Sequence, residues 1–223
     1  MGAMEDAGLS ASSRGREEVT PALVGRLLRE ISDRGGPLFV GLDGRSGAGK
    51  STLAEAITAR LEAEPNGLRV TVIDGDQFYA GGTAESWDRQ STSEKAARVI
   101  DWRRQRRVLQ QLRDSGIAEW HPFDWEAEDW DREPVPLADQ SICARAGSIV
   151  LLEGAYSCRP ELHDLLDLRM LLDVPRELRR RQLLEREGAA YRADWEARWS
   201  TAENYYFGSV MTPGRFDLVL GRR

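Results

Sequence analysis

A chain of 223 residues is long enough for one α/β domain with a substantial core, with or without a small lid. Its net charge of −6 gives no global attraction for nucleic acid, and two cysteines are too few for a disulfide framework or a four-ligand zinc site. No apolar run approaches the ~18 residues that span a bilayer, and the N-terminus lacks a signal-peptide core, so a cytoplasmic setting with Cys143 and Cys158 as ordinary thiols is expected.

The opening MGAM has the look of a tag remnant ahead of Met4. Residues 1–18, rich in Ser, Gly, Arg and Glu, are expected to be a mobile tail before a domain at 19–223. Thr20 and Pro21 supply an N-cap and first-turn proline for a helix to about Ile31, with Leu23, Leu27, Leu28 and Ile31 on one face. After the breaker GGP, LFVGL (38–42) is a continuous apolar run of the kind a buried parallel strand requires. A glycine-rich turn then leads to a helix with Leu53, Ala56, Ile57 and Leu61 on one side, closed by PNG at 65–67. LRVTVID (68–74) reads as the next strand. Residues 93–114 have the pattern of one long Arg-rich helix with Val99, Trp102, Val108, Leu109 and Leu112 as its apolar face. Residues 116–147 lack clean periodicity and are expected to form an insertion or substrate-side loop. SIVLLEG (148–154) and LRMLLDV (168–174) are two further buried strands around a short helix at 160–166. Helices at 175–187 and 193–206 and a strand at 216–221 complete the chain. Strands alternating with helices imply a parallel sheet covered on both faces.

GRSGAGKS (44–51) matches G-x-x-x-x-G-K-[ST] in full and lies between a strand and a helix, as that motif requires. Gly44, Gly47 and Gly49 let the backbone curl so that N–H groups face an anion, and the following helix offers its positive end to the same place. Lys50 supplies a mobile charge for β- and γ-phosphates, and the Ser51 hydroxyl is placed to ligate Mg²⁺. Lys50 and Lys95 are the only lysines in a chain that otherwise uses arginine, and a guanidinium would fit this nest differently. The nucleotide is expected on Gly44, Ser46, Gly47, Ala48, Gly49, Lys50, Ser51 and Thr52, with ATP and Mg²⁺ as the cofactors.

The remaining carboxylates choose among phosphate-loop chemistries. Glu153 ends the strand 148–154, where it could hold Mg²⁺ directly or through water. Asp76 lies just past the strand 68–74, on the ligand-binding edge of an open α/β sheet, where a carboxylate can take the proton of an attacking hydroxyl.

The succession of GRSGAGKST, DQFY, the pair Asp101–Trp102, HPFDW, LLEGAY and an Arg-rich helix resembles the uridine kinase-like group of phosphate-loop kinases over roughly residues 38–187. The resemblance implies a three-layer sandwich around a central, mostly parallel sheet, an Arg-rich helical lid at about 175–190 and an acceptor-side insertion at about 78–147. It also implies Asp76 as catalytic base, Tyr79 in the acceptor pocket, Asp101 on sugar hydroxyls, and Phe123, Asp124 and Trp125 along the nucleobase. Arg179 and Arg186 are the matching lid arginines. Two departures bear on the acceptor. The family's H-P-D-A-F-D appears here as KAARVID, and HPFDWEAEDW lacks the downstream His and Arg that uridine kinases place around the base.

Several features keep two readings. The arginines at 176–186 can be a solvated face paired with Glu177, Glu185 and Glu187, or phosphate contacts. Trp195 and Trp199, four apart, suit core packing, whereas Trp120, Trp125 and Trp130 suit either core or stacking on an acceptor. His121 suits a structural imidazole. Glu126, Glu128, Asp129 and Asp131 are a solvated acidic loop or a lip for a cationic acceptor. The overall expectation is an ATP-dependent kinase acting on a hydroxyl of a small molecule, nucleoside-like in first place. An antibiotic or vitamin-like alcohol phosphotransferase, a regulatory NTPase and a non-catalytic nucleotide-binding module are the rivals. N-K-x-D and L-S-G-G-Q motifs, which GTPases and ABC transporters carry, are absent. The expected partner is that acceptor, without nucleic acid or membrane and with self-association open.

Overall fold

Every buried run read as a strand pairs into one sheet in the computed structural model, which describes residues 21–65, 67–132, 134–188 and 193–221. The strands are β1 (Leu38–Asp43), β2 (Val70–Asp74), β3 (Ile117–Trp120), β4 (Ile142–Arg145), β5 (Ile149–Glu153), β6 (Leu168–Asp173) and β7 (Leu218–Gly221). Five of them form a parallel sheet in the order β2-β5-β1-β6-β7. The central pair, β1 and β5, is buried along its whole length, which is why both read as unbroken apolar runs.

The helices are α1 (Pro21–Ser32), α2 (Lys50–Glu62), α3 (Ala84–Asp88), α4 (Thr92–Arg98), α5 (Trp102–Ser115), α6 (Arg176–Glu187) and α7 (Ala193–Tyr205). On one face of the sheet Leu23 and Leu27 of α1 and Leu53, Ile57 and Leu61 of α2 pack with Val40, Leu42, Leu151 and Met170. On the other face Phe39, Val150, Leu152 and Leu171 join Val108, Leu109 and Leu112 of α5 and Trp199 and Ala202 of α7. Alternate strand residues thus serve opposite layers, giving the three-layer sandwich.

Four sequence expectations change. The helix predicted over 93–114 is two helices, α4 and α5. Ile100 turns back to bridge Tyr79, and the Asp101 carboxylate caps α5 by accepting the N–H groups of Arg103 and Arg104 at 3.1 and 3.2 Å. The region 116–147 contains an antiparallel pair, β3 and β4, whose four-residue strands are too short to reveal a period. The predicted helix at 160–166 is a 3₁₀ turn, Pro160–Leu165, and α7 runs on into a single π turn, Tyr206–Val210. Along α2 it is Ala54, not Ala56, that joins Leu53, Ile57 and Leu61 in the core. The tail at 1–18 and the cap at Thr20 lie outside the described residues. No helix among the described residues is long and apolar enough to cross a membrane.

Candidate active site

The register of the sheet aligns three strand ends. Asp74 of β2 and Leu42 of β1 both stand beside Glu153 of β5, so the segments that follow β1 and β2 share one edge with the end of β5. That edge is where open parallel sheets hold ligands.

The loop after β1 enters α2 through Gly49, the N-cap, at φ 90° and ψ 29°, and no side chain caps the helix. Only glycine takes this left-handed position without strain, and the positive end of α2 is therefore presented by backbone alone. At Gly47, φ 75°, an added Cβ would lie 2.6 Å from the Arg179 carbonyl oxygen, so α6 rests directly on the loop. Lys50 Nζ folds back along the loop to 3.4 Å from the Arg45 carbonyl. The Ser51 hydroxyl donates to Glu153 Oε1 at 2.8 Å.

Burial raises the Glu153 carboxyl to about 7, against the pull of Lys50 and the Ser51 bond, and Asp74 and Asp76 push it further up. The Asp74 carboxyl is raised as well, first by burial and then by Asp76. Asp74 accepts the Asp76 N–H at 2.9 Å and so caps the 3₁₀ turn Gly75–Phe78. The two neighbouring aspartates therefore differ in placement: Asp74 holds the turn, and Asp76 is exposed on the wall of a cavity of about 380 Å³.

That cavity extends from Ser46 of the loop to a group of aromatic rings, Tyr79, Trp125, Trp130, Trp195 and Trp199. Tyr79 and Trp125 stack at 5.1 Å and 22°, while Trp125–Trp130, Trp130–Trp195 and Trp195–Trp199 meet at 86°, 75° and 71°. Tyr79, Tyr156 and Trp199 are buried at the cavity wall, and the Tyr156 hydroxyl and the Trp199 indole N–H have no hydrogen-bond partner among the described residues. The nearby Trp87 indole N–H is committed to the Gly81 carbonyl at 2.8 Å. Orphaned polar atoms of this kind are costly unless a ligand completes them. Tyr156 adds backbone strain, with φ 68° in a non-glycine residue directly after the Glu153–Gly154 turn.

A second set of residues, not singled out in the sequence, braces the loop from α7. Glu203, 3% exposed, accepts from the Ser46 N–H at 2.9 Å and from its hydroxyl at 2.5 Å. Arg45 Nε donates to Asn204 Oδ1 at 3.4 Å, and its guanidinium lies 4.7 Å from the centre of the Phe207 ring. Trp195, Trp199 and Glu203 recur every four residues, so one stripe of α7 carries two cavity walls and the loop contact. That spacing was visible in the sequence; the cavity beside it was not.

The other predicted site residues fall in three places. Arg179 lines the cavity, with its guanidinium donating to the Ser46 and Val174 carbonyls at 3.1 Å each. Arg186 also lines it and pairs with Glu187 at 2.8 Å. Ala48 is buried in the loop and Thr52 is half-buried in the first turn of α2. Asp101, Phe123 and Asp124 are not among the cavity-lining residues: Asp101 caps α5, Phe123 is core against Tyr79, and Asp124 Oδ1 accepts the Glu126 N–H at 3.0 Å. Trp120 is core too, with its N–H on Gln77 Oε1 at 2.9 Å. His121 Nδ1 lies 2.9 Å from the Ala138 carbonyl, a structural contact.

The sequence profile of the Phosphoribulokinase / Uridine kinase family matches residues 39–199, from β1 through most of α7. The chain belongs to this family. Membership makes the chain a phosphate-loop kinase. Among relatives of this family member, the uridine kinase of Lactobacillus johnsonii is 25% identical over 153 residues, 68% of each chain. That of Streptococcus agalactiae serotype V is 22% identical over 145 residues, 64% of each chain. The alignments thus span about two thirds of the curated relatives' length. A possible uridine kinase from Bacillus stearothermophilus superposes with a TM-score of 0.60 at 20% identity, covering 89% of this chain and 99% of that one. A protein from Silicibacter sp. TM1040, provisionally designated a fructose transport system kinase, gives 0.65 at 22% identity over 89% and 97%. At such identities the shared property is the fold.

Proposed function

We propose that the protein transfers the γ-phosphoryl group of ATP to a hydroxyl of a small molecule. The observation that carries this reading is the exposed Asp76 on the wall of a cavity that begins at the phosphate loop. A switch NTPase or a passive nucleotide-binding module has no use for a cavity of about 380 Å³ walled by rings beside its phosphate loop.

Glycine conformations that a Cβ would spoil and a helix end left uncapped by side chains fit a triphosphate. Ser51 and Glu153 fit Mg²⁺, which commonly takes one or two protein ligands and completes its shell with phosphate oxygens and water. Consistently, no cluster of three metal-ligating side chains stands ready for a resident ion among the described residues. When bound, Mg²⁺ would neutralise charge on the transferred group. Lys50 would do the same from the loop, and Arg179 and Arg186 from α6, which with the residues after it, to about 190, would act as the lid. Asp76 would orient the acceptor hydroxyl and take its proton as the oxygen bonds to γ-phosphorus and the bond to ADP breaks. The raised Glu153 carboxyl must ionise to hold a cation, and a nearby divalent ion favours that form.

The family relationship supports a nucleoside-like acceptor, with an antibiotic or vitamin-like alcohol as the other reading. Tyr79 and Trp125, which line the cavity, would contact either one. Phe123, Asp124 and Asp101 would act from behind, by holding the walls. The test is ADP release with and without a panel of nucleosides, sugars and amino alcohols. Turnover is expected to rise at least tenfold with some acceptor; an ATPase rate indifferent to every acceptor contradicts the kinase reading.

A further inference from the structure

The ring group beside Asp76 has a geometry of its own. Trp125, Trp130, Trp195 and Trp199 follow one another at steep angles of 86°, 75° and 71°, and Tyr79 meets Trp199 at 90°. All five residues line the same cavity, so a ligand there meets aromatic side chains on several sides. Such a ring-lined cavity suits a compact cation, whose charge is attracted by each ring face it meets.

The polar groups agree. Reading the donor and acceptor code of a nucleobase takes carboxamides, imidazoles or guanidinium forks. Among the described residues, the only carboxamide lining the cavity is Asn204, which accepts from Arg45. Among the described residues, the cations on the lining, Arg176, Arg179 and Arg186, come from α6, and Arg186 is paired with Glu187 and Arg179 is bonded to the Ser46 and Val174 carbonyls. Asp76 and Glu196, the latter beside Trp195 on α7 and 3.9 Å from Arg180, line the cavity with the rings. The buried hydroxyl of Tyr156 and N–H of Trp199, both on the lining and without partners among the described residues, are suited to oxygens of the same ligand.

We propose that the acceptor is an alcohol bearing a compact organic cation, a quaternary ammonium or a protonated amine. The box of Tyr79, Trp125, Trp130, Trp195 and Trp199 seats the cation, and the hydroxyl meets Asp76. The inference rests on the kinase reading above and narrows its acceptor. In the reaction the alcohol oxygen bonds to γ-phosphorus of ATP, the bond to the ADP oxygen breaks, and the alcohol proton passes to Asp76.

Matched alcohols that differ in charge test it. ADP release is measured with choline against 3,3-dimethylbutan-1-ol and with glucosamine against glucose, alongside neutral nucleosides. The cationic member of at least one pair is expected to be used with a kcat/KM roughly tenfold or more above its neutral partner, the order that desolvated ring–cation contact supplies. Trp195→Leu, which removes one wall, should narrow that ratio to within about threefold. Equal or better use of the neutral members, or turnover of nucleosides with both cations inert, overturns the proposal while leaving the kinase reading intact. If no alcohol supports ADP release, the kinase reading fails, and tryptophan fluorescence then decides the box: quenching by choline at lower concentration than by 3,3-dimethylbutan-1-ol supports it, and equal quenching or none overturns it.

Discussion

Asp43 shows how much one carboxylate can hold in this chain. It is fully buried at the end of β1 and accepts four hydrogen bonds, from the N–H of Gly44 at 2.8 Å and from Tyr156 N–H, Cys158 N–H and the Tyr206 hydroxyl at 2.9 Å each. It thus ties the phosphate loop to the turn after β5 and to the π turn after α7. Burial outweighs those bonds and lifts its carboxyl from 3.8 to about 6. The folded protein then keeps a proton that the unfolded chain releases, so this group's stabilising effect is full below 3.8 and is lost as pH rises through about 6. The whole effect is at most about 3 kcal/mol. Asp43→Asn removes the titration, and its amide cannot accept all four bonds. The melting temperature of the wild type minus that of the variant, followed by calorimetry, is expected to fall by several degrees between pH 4 and 6.5 and to level off above 7. None of this was legible in GLDGRSG, because three of the partners lie 113, 115 and 163 residues away. Lys50 and Ser51 were legible because their surroundings are local: a strand, a glycine turn and a helix start.

At the scale of elements, α7 joins the ring box to the loop. Glu203 satisfies a Ser46 N–H that would otherwise be short of a partner, and its removal leaves that donor to water or unpaired. Glu203→Ala is expected to cost about 1–3 kcal/mol in chemical denaturation. It should also raise KM for nucleotide more than it lowers kcat, because the loop loses its brace. Gly47→Ala tests the other contact with the loop: the new Cβ meets the Arg179 carbonyl and Leu183 Cγ at 2.6 and 2.7 Å in a left-handed backbone. Nucleotide binding, measured calorimetrically, is expected to weaken at least tenfold as α6 is pushed away. Helical spacing identified α7 and assigned Trp195 and Trp199 to the core, which Trp199 joins and Trp195 packs against; that both also border a cavity was not legible, since a periodic apolar stripe looks the same whether it faces packed side chains or a cavity. The 93–114 pattern failed for a related reason: Val99 and Ile100 kept it apolar across a break that only Asp101, as a cap, reveals.

In the whole molecule, the site exists because the order β2-β5-β1 gathers three strand ends that are far apart in sequence. Alternation of elements was enough to predict a parallel sheet, but it carried no information on which strand lies between which. The insertion of β5 between β1 and β2 brings Glu153 to Ser51 across 102 residues and sets Asp74 beside it. Asp76 follows on the adjoining turn, at the border between the phosphate loop and the ring-lined cavity. The central claim is that this border is where a hydroxyl gives up its proton to Asp76. Its most direct test is Asp76→Asn, compared with the wild type for ATP binding by calorimetry and for acceptor-dependent ADP release under saturating ATP. The variant is expected to bind ATP within about threefold of the wild type and to lose roughly 10²–10⁴ in acceptor-dependent kcat. Full transfer activity in a variant that binds ATP normally would contradict the account.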